Sequence, residues 1–258
     1  MHQAFLLAFV IGLTSAVQTR AEIVETNNYE LRQKAADQYY WHGTVDFEKF
    51  ELTSRALIKD FPNRSGGYEN FMALINDLDQ KQPQKALSLA NEMAADKTPE
   101  KYRLWAKGCI KRLTSIGKPV RIQFIGTDGQ EVDTAKMGGK VVLVDFWATT
   151  CSPCVRDLPQ IKSLHKKYGE QGFEVIGISC DSSQQTDREK FSQFLQRKEI
   201  PWPQFYDGKQ QTENRLAQEF GINGMPHLLL IDKKGNLRFD KLRLKDGLEA
   251  KINELLAE

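Results

Sequence analysis

The fold of this chain is decided by residues 141–154, which read VVLVDFWATTCSPC. The segment begins as an apolar run of β-forming residues, which is typical of a buried strand. After the second cysteine the apolar residues recur at spacings of three and four, which indicates a helix whose buried face carries Val155, Leu158, Ile161, Leu164 and Tyr168. The stretch therefore predicts a central strand that leads directly into a helix, with two cysteines at the junction.

The two cysteines are placed for thiol chemistry. Cys151 lies at the expected helix N-terminus, where unpaired N–H groups and the positive end of the helix dipole favour a thiolate. A thiolate is the species that attacks a disulfide, and Cys154, one turn inside the helix, can resolve the resulting mixed disulfide. We therefore expect Cys151 to attack and Cys154 to resolve. No bound cofactor is required, because the cysteine pair itself carries two electrons.

A C-x-x-C pair can also be half of a zinc site, which would need a second Cys or His pair at ligand spacing. The other cysteines are isolated and the four histidines are scattered, namely Cys109, Cys180, His2, His42, His165 and His227. No metal site is therefore expected. Both isolated cysteines are interpreted as structural residues.

Two motifs together carry a resemblance to a known family. The segment Val-Asp-Phe-Trp-Ala-x-x-Cys-x-Pro-Cys resembles the active-site segment of the thioredoxin superfamily, and residues 220–232, FGINGMPHLLLID, resemble its cis-proline loop and following strand. Pro226 lies 72 positions after Cys154 (226 − 154). That length resembles the TlpA/ResA-like thiol-disulfide oxidoreductases of bacterial envelopes, which insert a strand and a helix there. The resemblance covers about residues 118–257 and does not cover residues 22–115.

Asp145 is the one carboxylate in the apolar run before the cysteines. A buried carboxylate is disfavoured as an anion, so its pKa should rise toward neutrality. It could then move a proton to or from Cys154, the role that the resemblance implies for an aspartate at this position. The alternative is an exposed residue at a sheet edge.

The resemblance also implies a substrate-binding loop. Pro226 is expected to be cis and to bring its loop against the cysteines, where the Met225 backbone can pair with an extended substrate segment. Trp147 is expected to pack beside the disulfide and is included among the expected substrate-binding residues. Thr150 departs from the family pattern, in which tryptophan is common, and the identity of the partner is correspondingly open.

His227 departs from the family pattern as well, since threonine is common after the cis-proline. An imidazolium near the thiolates would stabilise the reduced form and make the disulfide more oxidising. The alternative is a histidine that points to solvent. We include His227 among the expected substrate-binding residues.

Composition and the N-terminus bound the remaining possibilities. The chain has 258 residues, and its net charge of +2 gives no sign of nucleic-acid binding. Residues 4–13 are uncharged and small residues follow, which indicates a secretory signal peptide over residues 1–21, although no Lys or Arg precedes the run. The run is shorter than the roughly 20 apolar residues of a transmembrane helix. We expect an exported protein without a membrane span in its mature chain.

Two domains are expected after the signal peptide. Residues 22–117 have helical periodicity and few strand signals, which predicts about five helices in a TPR-like arrangement that could bind a partner. Residues 118–258 alternate strands and helices and close with a hairpin, which predicts an α/β sandwich. This agrees with the thioredoxin-like fold that the resemblance implies.

The sequence thus predicts an exported thiol-disulfide oxidoreductase that exchanges disulfides with envelope proteins and with an upstream redox partner. A thiol peroxidase is a second possibility because peroxiredoxins share this fold. That interpretation would require a proline and a threonine before the reactive cysteine, whereas Trp147 occupies the position four before Cys151. A third is a copper carrier that uses Cys151, Cys154 and His227, since thiolates and imidazole suit copper. A fourth is a docking protein whose helical region binds the partner.

Overall fold

A computed structural model describes residues 28–41 and 45–258. Contacts divide the chain into two compact units, Met1–Leu89 and Ala90–Glu258. The expected signal peptide over residues 1–21 lies outside the described residues. Within the described part of the chain, every helix is too short or too polar to cross a membrane.

The described residues of the first unit form helices. Its helices pack through apolar stripes at helical spacing, and the side chains of Phe50, Leu57, Phe71 and Leu74 are almost completely buried. The Asp46 carboxylate caps the second helix by accepting a hydrogen bond from the Lys49 backbone N–H. The helices are α1 (Tyr29–Trp41), α2 (Phe47–Asp60), α3 (Gly66–Lys81) and α4 (Pro83–Met93), which extends into the second unit.

The second unit is built on a mixed five-stranded sheet in the order β5-β4-β3-β6-β7. Strands β3, β4 and β5 are parallel, whereas β6 runs antiparallel to β3 and β7 runs antiparallel to β6. A separate antiparallel hairpin precedes the sheet. The strands are β1 (Gln123–Ile125), β2 (Glu131–Asp133), β3 (Val141–Trp147), β4 (Phe173–Ser179), β5 (Gln204–Tyr206), β6 (His227–Ile231) and β7 (Leu237–Leu242).

Helices flank this sheet, which confirms the predicted thioredoxin-like α/β sandwich preceded by a helical region. Strand β3 is completely buried, as its apolar run predicts. The helices of the unit are α5 (Glu100–Thr114), α6 (Ser152–Tyr168), α7 (Arg188–Arg197), α8 (Arg215–Glu219) and α9 (Leu248–Ala257).

The two faces of the sheet carry different clusters because successive strand residues point to opposite sides. Leu143 and Trp147 belong to the cluster that contains Leu158 of α6; we call this side the α6 face. Val144 and Phe146 belong to the cluster that contains residues of α8; we call this side the α8 face. Every residue of β3 and β6 can therefore be assigned to one face by its position.

Helix α5 belongs to the unit that contains the sheet. The Arg112 Nε donates a hydrogen bond to the Phe220 carbonyl at 3.0 Å, and Lys111 pairs with Glu219 at 2.6 Å. This division between residues 89 and 90 differs from the boundary at residue 117 that the helical periodicity predicts. The difference arises because α5 packs on the sheet unit through contacts with residues more than a hundred positions away.

Candidate active site

Cys151 and Cys154 form a disulfide where β3 passes into α6. Cys151 is the N-cap residue of α6, and its Sγ accepts a hydrogen bond from the Cys154 backbone N–H at 3.3 Å. Cys151 is partly exposed, whereas Cys154 is only 3% exposed and packs in the cluster of the α6 face. The predicted strand-to-helix position is confirmed, and Cys151 is the more accessible sulfur.

A short turn presents Cys151 at this junction. The Cys151 N–H donates to the Ala148 carbonyl at 3.1 Å, and the Cys180 N–H donates to the Trp147 carbonyl at 2.8 Å. The segment after β4 therefore binds the backbone at the end of β3, and the turn from Ala148 to Cys151 follows directly.

The same turn is fixed by a buried carboxylate that no sequence pattern singles out. Asp181 accepts hydrogen bonds from the Thr149 N–H at 3.0 Å, from the Thr149 hydroxyl at 2.6 Å and from the Ser179 hydroxyl at 2.9 Å. Thr186 adds a hydroxyl contact to Thr149 at 3.1 Å. Hydrogen bonds of this kind to a charged group are strong, so the residues before Cys151 are held in one conformation.

Asp145 lies on the α6 face, the same side of the sheet as Cys154, because it shares the register of Leu143 and Trp147. Its side chain is buried, and within residues 28–41 and 45–258 its Oδ1 has no hydrogen-bond partner. Burial raises the pKa of Asp145 to about 7, and the nearby Asp157 carboxylate contributes to the same shift. The buried position and raised pKa expected from the apolar run are therefore present.

Asp157 is a site residue that sequence reasoning missed. It lies three residues after Cys154 on α6, and partial burial raises its own pKa while the cations of Arg156 and Arg243 act in the opposite direction. Residues three apart on a helix are neighbours, so its spacing from Cys154 was the available signal.

The loop before β6 carries the other expected elements. The Met225–Pro226 peptide bond is cis, and the Arg243 guanidinium donates a hydrogen bond to the Pro226 carbonyl. Met225 is partly buried and packs against the clusters of both faces. It also lines a cavity of about 270 Å³ together with Thr150, which immediately precedes Cys151.

This cavity is lined by residues with uncharged side chains. Buried Cys180 contributes to its wall, and the remaining lining residues are Ala148, Ser182, Gln185, Gln210, Gln211 and Thr212. Burial raises the pKa of the Cys180 thiol, so this cysteine is held as an unreactive thiol at neutral pH. Cys109 is likewise a buried cysteine.

Trp147 lies on the α6 face in the same cluster as Cys154. It is 1% exposed, and its indole Nε1 donates a hydrogen bond to Gln204 Oε1 at 2.9 Å. Its ring packs against Phe191 and Phe194. Trp147 therefore shapes the packing behind the cysteines. This corrects its expected role in substrate binding, because the buried ring is not open to a substrate.

The structure does not bring His227 together with the cysteines. His227 pairs with Phe146 in the sheet register, which places its side chain on the α8 face, whereas Cys154 packs on the α6 face. The imidazole is buried, lies against the Phe146 ring and forms a hydrogen bond with Asp240 at 2.7 Å. This corrects both the expected contact with the thiolates and the solvent-facing alternative. Burial lowers the pKa of His227.

The placement of His227 also removes the geometric basis for the copper site. Its imidazole and Cys154 lie on opposite faces of one sheet. Among the described residues, no group of three or more His, Cys, Asp or Glu side chains could hold a metal ion.

The region that is similar to known proteins spans about half of the chain. The Redoxin family model matches residues 114–255. Thiol-disulfide oxidoreductase ResA of Bacillus thuringiensis (strain Al Hakam) is 30% identical over 129 residues, which are 49% of this chain and 69% of ResA. Probable nucleoredoxin 1 of Arabidopsis thaliana is 28% identical over 123 residues, which are 47% of this chain and only 20% of the plant protein.

Solved structures with similar folds include a putative thiol:disulfide interchange protein DsbE from Chlorobium tepidum. It is 26% identical, with a TM-score of 0.46, and the match covers 53% of this chain and 94% of that protein. The candidate site, from Asp145 to Arg243, falls entirely within the residues that the Redoxin model matches.

Proposed function

Because the chain belongs to the Redoxin family and is a TlpA/ResA-like member of the thioredoxin superfamily, we propose that it exchanges disulfides with proteins of the cell envelope through Cys151 and Cys154. The observation that carries this proposal is the disulfide at the β3–α6 junction, in which Cys151 is both the helix N-cap and the more exposed sulfur. A helix N-terminus stabilises a thiolate, and exposure admits a substrate.

The reaction transfers two electrons. In the reduced protein the Cys151 thiolate attacks one sulfur of a substrate disulfide, forms the mixed disulfide and releases the other substrate sulfur as a thiolate. The Cys154 thiolate then attacks the Cys151 sulfur, which releases the second substrate thiolate and leaves the Cys151–Cys154 disulfide. An upstream redox partner returns the pair to the dithiol, or draws electrons from it when the reaction runs in reverse.

Resolution requires that Cys154 lose its proton, and we assign that proton to Asp145. Asp145 shares the α6 face with Cys154, and its pKa of about 7 lets it accept and return a proton near neutral pH. Asp157 supports this role because its negative charge contributes to the raised pKa of Asp145.

The substrate is proposed to bind as an extended polypeptide across the Met225–Pro226 loop. The Met225 backbone would pair with the segment that carries the target cysteine, in the manner of strand addition. The adjoining cavity supports this placement, since it lies between Thr150 and Met225 and has uncharged polar walls. The helices that precede residue 90 are proposed to bind a partner, whereas α5 belongs to the unit that contains the sheet. Export is proposed from the apolar run of residues 4–13.

Trapping experiments test this proposal directly. Cys154→Ser should accumulate mixed disulfides with insulin or with envelope proteins, because attack survives and resolution is lost. Cys151→Ser is the matched control and should trap few. Equal trapping by the two variants would contradict the assignment of Cys151 as the nucleophile, and a wild-type protein that reduces no disulfide would contradict the activity itself.

A further inference from the structure

One side chain from helix α5 is linked to both ends of the loop that carries the cis-proline, directly at one end and through Asp240 at the other. The Arg112 Nε donates a hydrogen bond to the carbonyl of Phe220, at the start of this loop, at 3.0 Å. A second nitrogen of the same guanidinium forms an ion pair with Asp240. Asp240 in turn holds His227, the residue after the cis-proline, at 2.7 Å. The segment from Phe220 to His227 is thereby tied at each end to Arg112.

The network is shielded from water. Arg112 is 0% exposed, and the side chains of His227 and Asp240 are 4% and 11% exposed. Burial acts to raise the pKa of Asp240, but the cationic guanidinium and the hydrogen bond from His227 outweigh it and lower that pKa, so the carboxylate remains ionised. Hydrogen bonds among buried charged groups fix geometry tightly, because a displaced partner would be left buried without compensation.

The backbones of α5 and the loop are also in close contact. A Cβ on Gly108 would lie 1.9 Å from the carbonyl oxygen of Gln218, and a Cβ on Gly221 would lie 2.2 Å from the backbone nitrogen of Cys109. Gly221 has φ +58°, a left-handed conformation that glycine adopts without strain. Two glycines therefore let α5 closely approach the end of α8 and the start of the loop.

We propose that Arg112 is a positioning residue that sets the Met225–Pro226 loop for reaction with polypeptide disulfides, which makes α5 a functional part of the redox unit. The inference rests on the proposed function, since it assigns the loop to substrate binding. Arginine suits this role better than lysine because its planar fork directs separate N–H groups at Phe220 and Asp240. An apolar side chain could fill the same space, but it would not orient the two ends of the loop.

The chemistry at Cys151 should be independent of this support. The Cys151 thiolate is stabilised by the N-terminus of α6, whereas Arg112 and His227 act on the loop from the α8 face. A small disulfide needs only an accessible Cys151, but a polypeptide also needs the loop backbone in register. Loss of Arg112 should therefore slow reaction with polypeptides selectively.

The test compares two substrates in a single turnover. Pre-reduced protein is mixed with insulin or with hydroxyethyl disulfide, and the loss of its free thiols is followed in quenched samples. For the double variant Arg112→Met/Asp240→Asn, which removes both charges while the introduced amide can still bond His227, we expect about a tenfold lower rate constant with insulin. The rate constant with hydroxyethyl disulfide and the pKa of the Cys151 thiol should match those of the wild type.

Two further variants keep the test decisive. Arg112→Lys retains the positive charge without the planar guanidinium, so it should fold. Its rate constant with insulin should lie between those of the wild type and the double variant. Lys107→Met, an exposed position on the same helix, should leave both rate constants unchanged. An equal fall of the rate constants for both substrates in the double variant would overturn the positioning role. Unchanged rate constants for both substrates in folded Arg112→Lys would also overturn it. A wild type that reacts with neither disulfide would instead overturn the proposed function.

Discussion

The carboxyl group of Asp145 gives a measurable dependence of stability on pH. Its side chain is 3% exposed, its Oδ1 has no hydrogen-bond partner in the described part of the chain, and its pKa is raised to about 7. In an unfolded chain an aspartate titrates near about 3.9. Between these two values the folded protein holds a proton that the unfolded chain has released.

The sign and size of the effect follow from this difference. Where the folded state binds more protons, the free energy of unfolding falls as the pH rises. A shift of about three pH units at about 1.36 kcal/mol each corresponds to roughly 4 kcal/mol. The wild type should lose about this much stability through Asp145 between pH 4 and pH 8, and most of the loss should occur before the pH exceeds the folded pKa of about 7.

Asp145→Asn removes the ionisation and keeps the shape. The neutral amide resembles the protonated acid, so the two proteins should differ by no more than about 1 kcal/mol at pH 4. At pH 8 the variant should be more stable by up to about 4 kcal/mol, because it never carries a buried charge. The change in this difference between the two pH values isolates the ionisation from any constant cost of the amide.

Urea unfolding of the disulfide form, followed by tryptophan fluorescence at pH 4, 6 and 8, measures these differences. Asp96→Asn, at a fully exposed aspartate, is the matched control for the same substitution on the protein surface. If Asp145→Asn differs from the wild type by the same amount at pH 4 and pH 8, Asp145 does not hold a proton in the folded protein, and it could not serve as the proton relay.

Three other substitutions test neighbouring contacts. Asp157→Asn should lower the midpoint of the pH transition assigned to Asp145, because it removes a nearby negative charge; an unchanged midpoint in the same urea series would exclude that coupling. Thr149→Val should destabilise the folded state by about 1–3 kcal/mol, because it removes the hydroxyl donor in the active-site turn. Thr149→Ser keeps the hydroxyl and should retain the stability of the wild type. Equal unfolding curves for the two variants would refute the contact. Gly108→Ala should lower the free energy of unfolding by about 3 kcal/mol, because it forces α5 away from the loop. Gly138→Ala is the control and should lower it little, since no atom lies within 4 Å of the added Cβ. Similar melting temperatures for these two variants would contradict the close packing.

Features that depend on local spacing could be predicted from the amino-acid sequence. The apolar run of residues 141–146 predicts a buried strand, and the three-and-four spacing after Cys154 predicts the helix, so the cysteines fall at their junction without knowledge of any other contact. Asp145 could be predicted to be buried for the same reason, since it interrupts a fully apolar strand. Two motifs in the correct order then extend this local pattern to the whole sandwich.

Which distant groups meet depends instead on how the chain packs in three dimensions. His227 follows the cis-proline in sequence, yet the register of β6 against β3 turns its imidazole to the face away from Cys154, because a one-residue change in position reverses the side of a strand. Asp181 could not be selected from sequence either, since its role lies in reaching Thr149 from the segment that follows β4. Arg112 meets Phe220 across 108 positions and Asp240 across 128. Contacts over such separations are set by the packing of helices and strands, and neither periodicity nor composition carries that information.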